Sequence, residues 1–224
     1  MNLLRLSSFA TERDLRLAII EAGRICYESG LMHANFGNIS MRSGVDRLVI
    51  TPSGLCKGRL DPEDLLVMDF EGAIIKANSS RKHHYSSEAA LHLEVYKQRD
   101  DIRAVIHAHP ISATALTVAG EKFPIDVLYE VMEGVGPVPV TQFSKPSPQE
   151  NALAIKDLIR GHHGILIRNH GVITYGRDLE EALNYLEQIE SVAKIMLMAK
   201  VFGKVNQLPG DITSDLLKIN KKTG

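Results

Sequence analysis

The chain has 224 residues, a length that suits one α/β domain better than two. Hydrophobic residues make up 44% of it and charged residues 24%, as expected for a globular protein with a buried core. The net charge of −1 argues against nucleic-acid binding, and no segment approaches the roughly 18 consecutive apolar residues of a membrane span. Two cysteines and the lack of a signal-peptide pattern predict a cytoplasmic protein without a disulfide framework.

The first half of the chain predicts one helix followed by antiparallel hairpins. Thr11 and Asp14 have the spacing of a helix cap and its partner, and apolar residues then recur at helical spacing over residues 12–29. Short apolar segments separated by turn residues follow, which indicates strands. The expected strands cover residues 38–42, 47–51, 65–69 and 73–76, with a helical turn near 61–64.

The second half alternates helices with strands. The expected helices cover residues 86–98, 111–118, 147–161 and 178–202, with a short one over 215–220. The expected strands cover residues 104–108, 164–168 and 172–175, with an edge strand at 138–140. We therefore expect a mixed α/β fold in which a mostly antiparallel sheet carries helices on its faces. The single domain spans 1–224, with a mobile tail over 203–224.

His107-Ala108-His109 lies where a predicted strand opens into a loop. Residues two apart on a strand point to the same face, so the two imidazoles should project together. His170 is the best candidate for a third ligand, because it lies in a turn after a strand and Gly171 permits close approach. Three imidazoles that leave one coordination position open are typical of catalytic zinc sites. The alternative is a set of separate structural histidines.

Glu88 follows two serines at a predicted helix start. Its local sequence favours a capping carboxylate, stabilised by the helix dipole, over a general acid or base near a metal. Ser86 and Ser87 supply hydroxyl and backbone N–H groups at the same helix N-terminus, an arrangement that binds phosphate. Glycine turns at Gly37-Asn38 and Ser53-Gly54 add polar donors. No P-loop or dinucleotide fingerprint is present, so a nucleotide is not indicated.

Five segments occur in an order that resembles the class II aldolase/adducin family. They are Gly37-Asn38-Ile39-Ser40, Ile50-Thr51-Pro52-Ser53-Gly54, Ser86-Ser87-Glu88, His107-Ala108-His109 and Asn169-His170-Gly171. The resemblance covers residues 37–171, and the helices on either side match the family's layout. It implies a central, largely antiparallel sheet between helical layers. It also implies a homotetramer with active sites between subunits.

The resemblance also implies a role for each site residue. Zinc would be held by His107, His109 and His170. Another divalent metal, such as Mn, Co or Fe, is an alternative to zinc. Glu88 would coordinate the resting metal and then move off it to act as acid and base, which reverses the capping interpretation. The residues implied for the substrate phosphate are Asn38, Ser53, Gly54, Ser86 and Ser87.

The implied reaction cleaves a ketose phosphate, in the first place a ketose 1-phosphate, to dihydroxyacetone phosphate and an aldehyde. Zinc would stabilise the enediolate that forms when the carbon–carbon bond breaks. Glu88 would move the proton on the dihydroxyacetone-phosphate half. A tyrosine after the His-x-His helix would serve the aldehyde oxygen, and Tyr129 is the nearest match.

Other activities within the same family stay open. The 4-epimerases of pentulose 5-phosphates carry aspartate where the aldolases carry glutamate, so Glu88 favours an aldolase. Dehydratases of methylthioribulose 1-phosphate and decarboxylases of oxo-tetronate phosphates share the zinc histidines. A non-enzymatic, adducin-like interaction module is the alternative of a different class. Adducin-like members have lost metal ligands, whereas this chain keeps the histidines and the glutamate.

Overall fold

The computed structural model of the chain describes residues 3–5, 10–78, 83–145 and 147–215. Within these ranges, strands of a single sheet alternate with helices. The strands are β1 Asn38–Arg42, β2 Arg47–Ile50, β3 Leu66–Asp69, β4 Ile74–Lys76, β5 Ala104–Ala108, β6 Gly164–Ile167 and β7 Gly171–Gly176. The helices are α1 Glu12–Glu28, α2 Ala89–Gln98, α3 Ile111–Val118, α4 Tyr129–Glu133, α5 Pro148–Lys156 and α6 Leu179–Phe202.

The sheet has the strand order β4-β3-β2-β1-β5-β7-β6, and all neighbouring strands are antiparallel. The strand β5 lies near the centre, between β1 and β7. Its register places His107 opposite Asn38 on one side and opposite Ile173 on the other. The predicted mixed α/β fold with an antiparallel sheet is confirmed, and the His-x-His segment begins in the middle of the sheet.

Two apolar layers sandwich the sheet. One contains residues of α1, α3 and α6, and the other contains residues of α2 and α5. The strand β5 contributes to both in alternation, since Ile106 belongs to the first layer and Val105 to the second. The same alternation turns His107 toward the α2 side, where Glu88 immediately precedes the helix. The layers therefore bring these two residues to one end of the sheet.

Local capping signals predicted the helix starts well. Thr11 and Asp14 form the expected capping box of α1, and Asp178 accepts from the backbone N–H of Glu181 at the start of α6. Ser147 accepts from the backbone N–H of Glu150 in the same way. The helix that Ser147 opens ends at Lys156 and not near 161.

The segment 121–145 departs from its prediction. The strand expected over 138–140 is wrong, because only Val140 forms a bridge, to Leu166. Pro137 and Pro139 lack the N–H groups that a regular ladder needs. The short helix α4 was not predicted within this Pro- and Gly-rich stretch.

The end of the chain is described only in part. The structure has helical residues at 210–215, and the helix predicted over 215–220 lies almost wholly outside the described residues. The mobile tail predicted over 203–224 likewise extends beyond them, since 216–224 are not described. No helix in the described ranges is both long enough and apolar enough to span a bilayer. Both cysteines are free.

Candidate functional site

Four potential metal-ligating residues meet at the end of β5. One ligand atom from each of Glu88, His107, His109 and His170 lies within 4.8 Å of the others. The Nε2 atoms of His107 and His109 are 3.0 Å apart. Oε1 of Glu88 lies 2.8 Å from Nε2 of His170 and 3.4 Å from Nε2 of His107. Three imidazole nitrogens and one carboxylate oxygen suit a divalent cation such as zinc.

Separate elements position these ligands. His107 belongs to β5, His109 follows it at the strand end, and Glu88 precedes the first residue of α2. His170 sits in the tight turn between β6 and β7, where Asn169 adopts a positive φ of 55°. Gly171 is required there, since a Cβ would collide with the backbone oxygen of Ala108. The close approach allowed by this glycine brings His170 up to the His-x-His segment.

The tautomer of His107 is suited to binding a cation. Its Nδ1 lies 2.9 Å from the carbonyl oxygen of Val172, which can only accept, so Nδ1 carries the proton. The lone pair is therefore on Nε2, which faces the other ligands. Such second hydrogen bonds fix the orientation of metal-ligating histidines in proteins. Burial and the neighbouring imidazoles lower the pKa of His109 to about 3, so its ring is neutral at pH 7.

Glu88 is not used as a helix cap. It stands at the N-cap position of α2, but its side chain makes no capping hydrogen bond. Its carboxylate instead contacts His170 and accepts from Asn38 Nδ2 at 2.8 Å. Burial raises the pKa of Glu88, but the interactions of its carboxylate with His107 and His170 outweigh it and hold the pKa well below the usual range. The group is thus a carboxylate directed at the imidazoles.

A buried hydrogen-bond chain supports Glu88 from behind. Asn38 Oδ1 accepts from His92 Nε2 at 2.6 Å, and His92 Nδ1 lies 2.7 Å from the hydroxyl of Ser40. The Ser40 hydroxyl in turn lies 2.9 Å from the hydroxyl of Tyr96. Burial lowers the pKa of His92 to about 3, which keeps this ring neutral. Sequence reasoning missed His92, although Glu88, His92 and Tyr96 follow the i, i+4, i+8 spacing of one helix face.

A cavity of about 220 Å³ opens beside the four ligands. It is lined by Asn35, Phe36, Gly37, Ser53, Gly54, Lys57, Ser86, Ser87, Glu88 and His109. Four of the residues predicted to bind phosphate therefore share a cavity with Glu88 and His109. The fifth, Asn38, is buried at 2% exposure, with its amide held between Glu88 and His92. A larger cleft of about 440 Å³ lies elsewhere and is lined by none of the four ligands.

Two further residues concern the site, one that was predicted for it and one that was absent from the prediction. Tyr129 is 45% exposed and donates to Glu133 at 2.6 Å, and it does not line the cavity of its own chain. Lys57 lines the cavity and is only 2% exposed, but it was not predicted as a site residue. Lys57 begins the 3-10 helix Lys57–Arg59, which is too short to give a periodic signal in the sequence. Only its packing reveals it.

Comparisons with known proteins agree with this geometry. The family described as Class II Aldolase and Adducin N-terminal domain matches residues 17–197. A 3-oxo-tetronate 4-phosphate decarboxylase of Haemophilus influenzae is 31% identical over 79% of this chain and 84% of its own. A methylthioribulose-1-phosphate dehydratase of Methylococcus capsulatus is 34% identical over 80% of this chain and 92% of its own.

A solved structure extends the comparison to the whole fold. An L-fuculose 1-phosphate aldolase superposes with a TM-score of 0.83 at 29% identity, covering 96% of this chain and 100% of that one. The three proteins differ in the reaction they are named for, but each name contains a phosphorylated compound. The chain therefore belongs to the class II aldolase and adducin family, and it carries a histidine and glutamate cluster suited to the metal on which class II aldolases depend.

Proposed function

We propose that this chain is a zinc-dependent class II aldolase that cleaves a ketose 1-phosphate to dihydroxyacetone phosphate and an aldehyde. The observation that carries the proposal is the position of the Glu88 carboxylate. It lies among three imidazoles and on the wall of a cavity lined by serine and glycine. Metal ligands, an acid/base and anion donors are the groups such a cleavage requires.

Each part of the site has a task in this reaction. His107, His109 and His170, with Glu88, would hold the cation. When bound, the cation supplies Lewis-acid stabilisation of the negative charge that develops on the substrate oxygens. Glu88 holds and moves the proton at Oε1 on the dihydroxyacetone-phosphate half. Asn38 Nδ2 keeps the carboxylate oriented by donating to Oε2.

The phosphate is assigned to the serine and glycine residues that line the cavity. Ser53 and Gly54 follow β2 in the chain, Ser86 and Ser87 precede α2, and all four line the cavity. The backbone N–H of Ser53 already donates to His84, so Ser53 would contribute its hydroxyl. The family resemblance assigns Asn38 to the phosphate as well, a role that its side-chain amide could take only by giving up its hydrogen bond to Glu88 or His92.

Assembly completes the proposal. We assign the chain to a homotetramer with active sites between subunits, in which Tyr129 of a neighbouring copy serves the aldehyde oxygen. The C-terminal half of α6 supports an assembly, because it exposes apolar side chains to between 45% and 88%. They are Ile195, Leu197, Met198, Val201 and Phe202.

Dehydration of a ketose 1-phosphate is the second candidate. It is favoured by the 34% identity to the dehydratase. In both reactions negative charge develops on the substrate oxygens next to the carbonyl carbon, but dehydration breaks a carbon–oxygen bond and leaves the carbon chain intact. Epimerisation is less favoured, because position 88 carries glutamate.

A panel of phosphorylated ketoses and 3-oxo acids tests the assignment. Zinc-loaded protein should release dihydroxyacetone phosphate from at least one ketose 1-phosphate, measured by a coupled NADH assay. Loss of water without carbon–carbon cleavage would assign the dehydratase, and release of CO₂ from a phosphorylated 3-oxo acid would assign the decarboxylase. Protein that takes up no divalent metal and turns over no member of the panel would contradict the enzyme proposal.

A further inference from the structure

Lys57 is a buried cation whose described hydrogen-bond partners are neutral. It lines the cavity of the site, and only 2% of the residue is exposed. Its ammonium donates to the carbonyl oxygens of Asn35 at 2.9 Å and Leu55 at 2.8 Å. Both of these partners are backbone carbonyl groups and carry no charge. Burying an ammonium group that has no hydrogen-bonded counter-charge is costly, so an anionic ligand beside Lys57 would stabilise it.

The surroundings of Lys57 identify the kind of ligand. The ammonium has three N–H groups, and the two carbonyls take two of them. Lys57 shares the cavity wall with Ser53, Gly54, Ser86 and Ser87, which offer neutral donors. Among the residues that the structure describes, no other lysine or arginine lines that cavity. A phosphate dianion needs both hydrogen bonds and positive charge, and among the described lining residues it is Lys57 that provides the charge.

We propose that Lys57 is the counter-charge for the substrate phosphate, and that its third N–H donates to a phosphate oxygen. The inference rests on the proposed function for the identity of the substrate, but the anion site itself does not depend on the reaction. The backbone carbonyls of Asn35 and Leu55 fix the ammonium in place before the anion arrives. Such preorganisation reduces the entropy lost on binding.

The electrostatics of the residue agree with an incomplete site. Burial lowers the pKa of Lys57 to about 8, against the opposing attraction of Glu88 and Cys56. A bound dianion beside the ammonium would raise this pKa again, because it favours the charged form. Phosphate binding near pH 8 should therefore be accompanied by proton uptake.

The test titrates inorganic phosphate into the purified, zinc-loaded protein by calorimetry. Wild type should bind phosphate, and K57M should lose about 10- to 100-fold in affinity, the usual effect of removing one charge-assisted hydrogen bond. K57R should recover part of the affinity. K97M, which removes an exposed lysine at the end of α2, should bind as wild type does. K57Q serves if K57M fails to fold, since it keeps a donor for the carbonyls but no charge.

Two results would overturn the proposal. They are equal phosphate affinity in wild type, K57M and K57Q, and no measurable phosphate binding by wild type. The kinetic outcome separates this inference from the proposed function. If the protein binds phosphate through Lys57 but cleaves no sugar phosphate, the proposed function is contradicted and the anion site stands. If K57M cleaves a sugar phosphate with an unchanged KM, the proposed function stands and the role of Lys57 is contradicted.

Discussion

Asn38 Nδ2 donates to Glu88 Oε2 at 2.8 Å across 50 residues of sequence. Because a carboxylate only accepts, this bond fixes the amide of Asn38 with Oδ1 toward His92. The proton of the neutral His92 ring is then on Nε2, and Nδ1 is left to accept from Ser40. One carboxylate at the site therefore determines the hydrogen-bond directions of a chain that runs into the core.

Removing the donor of Asn38 should impair the placement of Glu88. A hydrogen bond to a charged group contributes about 1.5–3 kcal/mol, so we expect N38A to lower kcat about 10- to 100-fold. Zinc content should stay near wild type, because the histidine ligands are unchanged. Steady-state kinetics and metal analysis check this. A raised KM with an unchanged kcat would instead assign Asn38 to the phosphate, the role predicted from the sequence.

His92 should make the free energy of unfolding depend on pH. Its pKa is about 3 in the folded protein and near 6.5 in the unfolded chain. The unfolded state therefore takes up a proton first as the pH falls. The stabilisation from this depressed pKa is complete above pH 6.5 and is lost toward pH 3, at up to about 1.4 kcal/mol per pH unit.

Urea unfolding of wild type and H92Q at pH 7, 6 and 5 measures this effect. H92Q should lose less stability than wild type over that range, because glutamine does not titrate. Y96F is the matched control, since it breaks the same buried chain but keeps the histidine and hence the pH dependence. A constant difference in stability between wild type and H92Q would contradict the low pKa.

Substitution of a histidine ligand and substitution of Glu88 should have different effects on metal content and turnover. H109A removes one imidazole of the cluster and should lose bound metal. E88Q keeps the shape and one oxygen acceptor, so it should retain metal but lose turnover by at least about 100-fold, the lower end of acid/base contributions. The metal content and kcat of each variant, measured together, test this expectation. Equal loss of metal in both variants would make Glu88 a structural ligand.

Much of this site was readable because its residues follow local rules. His107 could be placed because an apolar run ends in the His-x-His segment, and strand alternation then sets its direction. The helix that follows Glu88 was also predicted, but from residue 86, whereas α2 begins at Ala89. What the local sequence misjudged was the use of the Glu88 carboxylate, because Asn38 and His170 reach it only through the packing of α2, β1 and β7.

The residues that were missed depend on burial. In the sequence, nothing distinguishes Lys57 from the other lysines. Its role follows from a cavity whose lining comes from separate segments of the chain. The short helix α4 was missed because its segment is rich in breakers, and packing of Val131 and Met132 into the interior overrides their effect. Long-range contacts of this kind have no counterpart in sequence periodicity.

Tyr129 offers a test of whether the site is shared between chains. Its hydroxyl bonds to Glu133 and lies outside the cavity of its own chain, so a catalytic role requires a neighbouring copy. We expect Y129F and E88Q each to be nearly inactive alone. Coexpressed in equal amounts, they should form mixed oligomers in which about one quarter of the sites combine an intact Glu88 with an intact Tyr129 from the next subunit. Turnover should rise to roughly that fraction of wild type.

A mixture of E88Q with H109A is the control, because both defects lie in one cluster and cannot complement. Normal turnover by Y129F alone would remove Tyr129 from the mechanism, and absence of recovery in the mixture would place both residues in sites formed by a single chain.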